Sequence, residues 1–206
     1  MIELTHQDAM TTITLNRPDK ANALTRRMLG DLVTAVNHAS DTDAKILVLT
    51  GVGRVFSAGA DLDAARSTDL TTDPVWEQLS TAVARFKGLS IAALNGTVAG
   101  GALGMVLACD LRIAVAGTKV FYPVLRNGFL PQPSDPVRMR ALIGPGRTKM
   151  VFLAGQKIDT ETALSWGLFD QVVPVGTLAQ TINTLSTESR AATLEIVKAI
   201  KALCED

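Results

Sequence analysis

The chain has 206 residues, of which 47% are hydrophobic and 19% are charged. This balance is typical of a globular domain with a large core and argues against disorder. Basic and acidic side chains number 20 each and are scattered, so nothing favours a nucleic-acid surface. The first residues lack the apolar segment of a signal peptide, and two separate cysteines define neither a disulfide framework nor a metal site. We expect a cytoplasmic protein.

Strands and helices alternate along the predicted chain. Apolar patterns predict strands at 2–6, 12–15, 46–49, 91–94, 111–115, 120–122 and 171–175. Helical spacing predicts a first helix at 28–36 and a second that ends near 86. Further helices are predicted at 100–107, 135–143, 147–153, 160–166 and 189–203. Loops are predicted at 16–20 and 51–59, and an exposed polar stretch at 68–74. The order predicts an α/β layered fold, with a core over 1–175 and a short helical segment over 176–206.

The most informative segment runs from Gly88 to Asp110 and combines a buried strand, a glycine-rich turn and a buried helix. Gly100 and Gly101 open the helix, where backbone N–H groups are unpaired at the positive end of the dipole. Such groups bind a phosphate or a developing oxyanion. A membrane span is an alternative for this uncharged run, but five glycines and Asn95 interrupt it. A dinucleotide fingerprint needs a different glycine spacing.

A second loop of small residues, 54–62, follows the strand at 46–49. Small side chains let a ligand approach the backbone closely. Asp61 in this loop also fits the cap of a following helix. The chain therefore has two such loops, each after a buried strand and before a helix. Two of their N–H groups converging on one point would form an oxyanion hole.

These motifs, in this order, resemble the crotonase superfamily, also called the enoyl-CoA hydratase/isomerase family. The resemblance covers about residues 1–175. The matching residues are Leu15-Asn16-Arg17-Pro18, Asn22-Ala23-Leu24, Phe56-Ser57-Ala58-Gly59-Ala60-Asp61-Leu62, Asn95-Gly96, Gly100-Gly101, Cys109-Asp110, Arg112, Leu153-Ala154-Gly155-Gln156, Ala163, Trp166-Gly167-Leu168 and Val172-Val173. It implies a crotonase-like spiral of repeated ββα units.

The resemblance also implies the ligand and the site. The ligand would be an acyl-CoA thioester, with no other cofactor, and the assembly a homotrimer or a dimer of trimers. By matching position, the oxyanion hole would be formed by the N–H groups of Ala60 and Gly101. The remaining residues implied to contact substrate or CoA are Ala58, Gly59, Asp61, Leu62, Gly100 and Tyr122.

The sequence departs from the hydratase pattern at two positions. Hydratases of the family use two glutamates, because one carboxylate activates water and the other protonates the α-carbon. The matching positions here are Gly104 and Val124, neither of which can transfer a proton. Their neighbours offer no replacement, being Leu103, Met105, Pro123 and Leu125.

Four polar residues lie in the segment that would line the acyl pocket, namely Tyr122, Arg126, Gln132 and Asp135. Asp135 is the nearby carboxylate and hence the acid/base candidate, although its place before Pro136 also fits a helix start. Tyr122 is interpreted as a strand residue with its hydroxyl at the rim. Arg126 fits either contact with an acidic acyl group or a solvated loop position. The two histidines, at 6 and 38, lie away from the predicted site.

CoA contacts beyond the loops are less well defined. A basic residue often follows the Ala-Asp pair in the family, whereas Asp63 stands here, with Arg66 nearby and Arg26 and Arg27 as alternatives. Family members usually continue past the last predicted helix, which bears on CoA affinity and assembly.

The sequence is therefore compatible with three functions. The first is an enzyme of the hydratase/isomerase family with a substituted acid/base group. The second is an acyl-CoA carrier without chemistry, and the third is a structural or regulatory subunit that no longer binds CoA.

Overall fold

The computed structural model describes residues 1–61 and 69–205. The strands are β1 (Ile2–Gln7), β2 (Met10–Leu15), β3 (Ile46–Gly51), β4 (Val55–Ser57), β5 (Leu89–Leu94), β6 (Thr97–Ala99), β7 (Leu111–Val115), β8 (Val120–Phe121) and β9 (Gln171–Val173). The helices are α1 (Arg26–Asp41), α2 (Val75–Ala84), α3 (Leu103–Leu107), α4 (Val124–Asn127), α5 (Ser134–Phe152), α6 (Thr160–Trp166), α7 (Leu178–Leu185), α8 (Thr187–Ala191) and α9 (Leu194–Glu205). Single 3-10 turns occur at Pro18–Lys20, Leu70–Thr72 and Gly100–Ala102.

The strands form two sheets, and from β3 to β8 successive strands alternate between them. The larger has the order β1-β2-β3-β5-β7-β9, in which only the β1–β2 pair is antiparallel. The smaller is parallel and has the order β4-β6-β8. Each of the units β3-β4, β5-β6 and β7-β8 therefore contributes one strand to each sheet. This arrangement confirms the predicted α/β spiral of repeated ββα units.

The central strands β3, β5 and β7 of the larger sheet are buried on both faces, as a continuous apolar strand predicts, whereas β1 is largely exposed. Ile13, Leu47 and Leu49 point to the main core, which helices α1 and α2 cover. Ile46 and Val48 point to a smaller cluster on the opposite face, to which α7 contributes buried residues. No helix within 1–61 and 69–205 is long and apolar enough to cross a membrane.

The motif around Asp110 and Arg112 is structural. The Asp110 carboxylate accepts from the backbone N–H and hydroxyl of Ser90 and from Lys201 in α9. The buried Arg112 guanidinium pairs with Asp170 at 2.8 Å. These bonds tie α9 and the start of β9 to the central strands.

Several predicted boundaries were confirmed. The opening strands form a hairpin, α6 is capped by Asp159 and ends at Gly167 with a positive φ, and Gly144 divides α5 into two helical parts. Cys109 is buried, as expected of a core thiol, and its burial raises its pKa to about 12, whereas Cys204 is exposed.

Other predictions were wrong. The predicted loop at 51–59 contains β4, and the short strand β6 was not predicted. The segment predicted as one last helix forms two helices, α8 and α9, because the backbone at Ala192 is extended between them. Within the stretch predicted to be exposed, Leu70 is buried and accepts from the Trp76 indole, while Thr68 lies outside the described residues.

Candidate active site

The two loops of small residues meet, as the sequence predicted. Gly59 has a φ of 90° and Gly100 a φ of 56°, both in the region that favours glycine. A Cβ on Gly59 would lie 2.7 Å from the carbonyl oxygen of Ala99. The loops therefore pack backbone against backbone, which any larger side chain at Gly59 would prevent.

The first loop is held by the segment before α1. The buried Asn22 amide donates to the carbonyls of Val52 and Val55 at 3.0 and 2.8 Å. The Ser57 hydroxyl donates to the Asn22 carbonyl at 2.8 Å. These bonds explain why asparagine and serine occur in these motifs: each side chain donates to backbone carbonyls of the loops.

A single parallel bridge between Leu24 and Ala60 orients the first candidate donor. The bridge uses the carbonyl of Gly59 and the N–H of Asp61, at 2.7 and 2.9 Å from their Leu24 partners. In a parallel ladder the flanking residues bond to the partner, so the N–H of Ala60 points away from Leu24. Ala60 lines the cavity on that side.

The second candidate donor, Gly101, lies in the first turn after β6, where an N–H has no intrahelical partner. A Cβ there would lie 3.1 Å from the Trp76 ring. Trp76 is fixed by its indole N–H, which donates to the Leu70 carbonyl at 2.7 Å. Among the described turns, loops and caps, neither Ala60 nor Gly101 donates to another backbone group.

A cavity of about 850 Å³ is lined by both Ala60 and Gly101. Its described lining residues include Ala58, Ala60, Asp61, Gly100 and Gly101 from the two loops, but not Gly59, and they also include Tyr122, Val124, Arg126 and Gln132. Lys20, Trp76 and Lys157 also line it and were not predicted. Their signal was weak in sequence, because each lies on a segment that the fold brings in from elsewhere. Lys157 lies over the Phe121 ring, 5.0 Å from its centroid.

The other residues predicted to bind CoA divide into two groups. Ala58 and Asp61 line the cavity, and Asp61 pairs with Arg17 at 2.6 Å. The helix that Asp61 was expected to cap, with Leu62, Asp63 and Arg66, lies outside the described residues. Arg26 pairs with Asp73 at 2.7 Å and Arg27 lies 3.9 Å from Asp31; neither arginine is among the described lining residues.

Tyr122 and Asp135 form a buried pair. The Tyr122 hydroxyl donates to Oδ2 of Asp135 at 2.7 Å. Tyr122 is 3% exposed, so the prediction of a hydroxyl at the rim is wrong: the ring is held inward against Phe152, 4.9 Å between centroids. Asp135 does lie in the first turn of α5, but its carboxylate makes no capping bond there.

Gly104 provides the space for this carboxylate. A Cβ on Gly104 would lie 2.9 Å from Oδ1 of Asp135. That oxygen is fully buried and has no hydrogen-bond partner among the described residues. The carboxylate of Asp135 therefore occupies the space into which a side chain at position 104 would extend.

The pKa values of the pair are strongly perturbed. Burial raises the pKa of Asp135 to about 7, with the Tyr122 hydrogen bond and then Arg138 opposing it and Glu77 adding to it. Burial, and next the charge of Asp135, raise the pKa of Tyr122 well above its usual range. A carboxyl group near neutrality can both accept and return a proton at physiological pH.

The model of the family described as Enoyl-CoA hydratase/isomerase matches residues 5–205. The chain belongs to this family, and the motif resemblance to the crotonase superfamily is thereby confirmed.

Two curated relatives illustrate the similarity. The protein named "Probable enoyl-CoA hydratase echA6" of Mycobacterium tuberculosis is 32% identical over 206 residues, covering 100% of this chain and 83% of the relative. The 2,3-dehydroadipyl-CoA hydratase of Escherichia coli is 30% identical, covering 97% of this chain and 80% of the relative.

Solved structures agree with the fold. DspI of Pseudomonas aeruginosa superposes with a TM-score of 0.90 at 32% identity, covering 99% of this chain and 86% of that one. An enoyl-CoA hydratase from Bacillus anthracis gives a TM-score of 0.91 at 26% identity, covering 100% and 82%.

Proposed function

We propose that this chain binds an acyl-CoA thioester and stabilises its enolate between the N–H groups of Ala60 and Gly101. The packing of the two glycine loops against each other, with Ala60 and Gly101 both lining the cavity, carries the proposal. Donors fixed before the reaction stabilise a developing oxyanion without reorganising. The relatives named as hydratases of CoA thioesters support the same ligand class.

The CoA moiety is proposed to lie along Ala58, Gly59, Asp61, Leu62 and Gly100. Cationic side chains at Lys20, Arg126 and Lys157 line the same cavity and suit the CoA phosphates. A homotrimer or a dimer of trimers remains our proposal for the assembly, which sedimentation velocity tests directly.

A specific observation favours a second candidate, acyl-CoA binding without chemistry. Gly104 and Val124 stand where the resemblance places the two hydratase glutamates, so ordinary hydration has neither of its carboxylates. The two candidates share the binding site and differ only in whether another group transfers protons.

Calorimetric titration with crotonyl-CoA and acetyl-CoA tests the site, with crotonyl-CoA hydration followed in the same samples. We expect binding with no hydration at a typical hydratase rate. Absence of binding to either thioester contradicts the proposal and favours a structural subunit.

The variant Gly101→Pro tests the oxyanion hole, because proline removes the N–H. We expect a loss of binding or turnover equivalent to about 3 kcal/mol. Gly101→Ala is the matched control: it also places a Cβ against Trp76 but keeps the donor, so its loss should be clearly smaller. Equal losses in both folded variants would contradict the assignment.

A further inference from the structure

The arrangement of Asp135 is not that of a structural residue at a helix start. Its carboxylate is fully buried, yet one oxygen has no described partner and the other is bonded only to Tyr122. An aspartate in the first turn ordinarily faces solvent or accepts backbone N–H groups. Leaving a buried oxygen unpaired costs free energy, so the position calls for a functional explanation.

The pair lies beside the proposed oxyanion hole. Gly101 and Gly104 are three residues apart in a helical stretch and hence on one face. Asp135 contacts this face at Gly104, and Tyr122 lines the cavity together with Gly101. Asp135 is not among the described lining residues, so Tyr122 is the member of the pair that lines the cavity.

We propose that Tyr122 and Asp135 form the proton-transfer group of this site, with Tyr122 as the catalytic residue and Asp135 as the base behind it. The inference rests on the proposed function, since it takes the acyl-CoA α-carbon to lie near the hydroxyl. Gly104 is the complement of the pair, because only a residue without a side chain leaves room for the carboxylate.

The chemistry balances without another reactant. The C2–H bond of the acyl chain breaks, the proton passes to the Tyr122 oxygen, and the tyrosine's own proton passes to Oδ2 of Asp135. The electron pair moves into the enolate, whose oxygen accepts from Ala60 and Gly101. Reversal at C2 exchanges the proton. Return of the proton to C4 of a 3-enoyl thioester moves the double bond to C2=C3. One relay thus suits a proton shift, whereas water addition needs a second group.

The test is exchange of the C2 protons of butanoyl-CoA and octanoyl-CoA in D₂O, followed by mass spectrometry, with calorimetric binding on the same samples. We expect the wild type to incorporate deuterium. Tyr122→Phe and Asp135→Asn should each lower the exchange rate about 100-fold or more while the Kd stays within about threefold. Asp159→Asn is the matched control, since it makes the same change at an exposed cap outside the described lining.

The outcomes separate the two proposals. Failure of the wild type to bind either thioester defeats the proposed function. Binding without exchange, or exchange unchanged in both folded variants, overturns the relay alone. A structural role for the pair would lower stability and binding together, whereas the relay lowers exchange with binding retained.

The pH profile adds an independent readout. The charged or titratable groups facing Asp135 are Tyr122 from the end of β8, Glu77 from α2 and Arg138 from its own helix. Exchange should rise with pH and level off only above pH 7, because the carboxylate form accepts the proton. An exchange rate that does not change between acidic and mildly alkaline pH overturns the relay.

Discussion

The two walls of the cavity are built from different parts of the polypeptide. On the first wall, Gly59 packs against the Ala99 backbone, and the N–H groups of the neighbouring Ala60 and Gly101 are the proposed donors. On the second wall, Tyr122 lines the cavity and Asp135 lies behind it, and these side chains are the proposed proton-transfer group. The first wall is fixed by the fold and tolerates few substitutions. The second depends on a contact between side chains and can differ in any chain with the same fold.

The largest expected effect is the pH dependence of stability caused by Asp135. Its folded pKa, about 7, exceeds the ordinary value of 3.8, so the folded state binds more protons between those values. The contribution of Asp135 to the free energy of unfolding is fully present at low pH. It is lost as the pH rises through about 7, which lowers the free energy of unfolding by about 4 kcal/mol in total. Asp135→Asn should remove this loss.

Urea unfolding of the wild type and Asp135→Asn across this pH range checks the prediction. The difference between them should widen by about 1.4 kcal/mol per pH unit and become constant above pH 7. Asp159→Asn controls for the loss of a carboxylate at a helix start. A constant difference across the range would show that the carboxyl group titrates normally.

Gly59→Val tests the first wall, called here the backbone wall, in which Gly59 packs against Ala99 next to Ala60 and Gly101. The φ of 90° and the 2.7 Å approach to the Ala99 carbonyl together predict a loss of about 3 kcal/mol in the free energy of unfolding, and loss of acyl-CoA binding. Gly117→Val is the control, because its φ is 85° but a Cβ there meets nothing within 4 Å. Similar losses at both positions would mean that φ alone, rather than the contact between loops, matters.

Gly104→Ala measures the contact between α3 and the Asp135 carboxylate. Alanine in a helix is ordinarily favoured over glycine by about 0.5–1 kcal/mol, and Gly30→Ala in α1, where a Cβ meets nothing within 4 Å, should show this gain. At Gly104 we expect a loss of about 1–2 kcal/mol instead, from the contact with Asp135.

A double-mutant cycle with Asp135→Ala isolates that contact. The coupling energy should be about 1 kcal/mol or more, within the range for residues in contact. Additive effects would place the carboxylate elsewhere.

The smallest expected effect is a change in the absorbance of one side chain, Tyr122. Tyr122 is the only tyrosine in the chain, so phenolate absorbance reports on it alone. Its raised pKa predicts no phenolate in the folded protein near pH 10, where the urea-unfolded chain ionises. Asp135→Asn should lower the pKa, since it removes a neighbouring negative charge. Ionisation of the folded wild type near pH 10 would contradict the buried pair.

The backbone wall was predictable from sequence, because runs of small residues after buried strands identify it locally. The short strands β4 and β6 were missed in part, since three residues give too little pattern to recognise. The side-chain wall was predicted only by proximity along the chain. Asp135 was named as a candidate, but its contact with Gly104 joins residues far apart in sequence, and nothing local indicated that the Tyr122 hydroxyl is buried.

The contact at Gly104 also limits how this chain can change. A glutamate at position 104 and the present position of the Asp135 carboxylate are mutually exclusive, since both need the same space. No single substitution converts one arrangement into the other without passing through a clash or an empty site. In evolutionary terms the two positions form an epistatic pair, because a carboxylate side chain on α3 requires Asp135 to change as well.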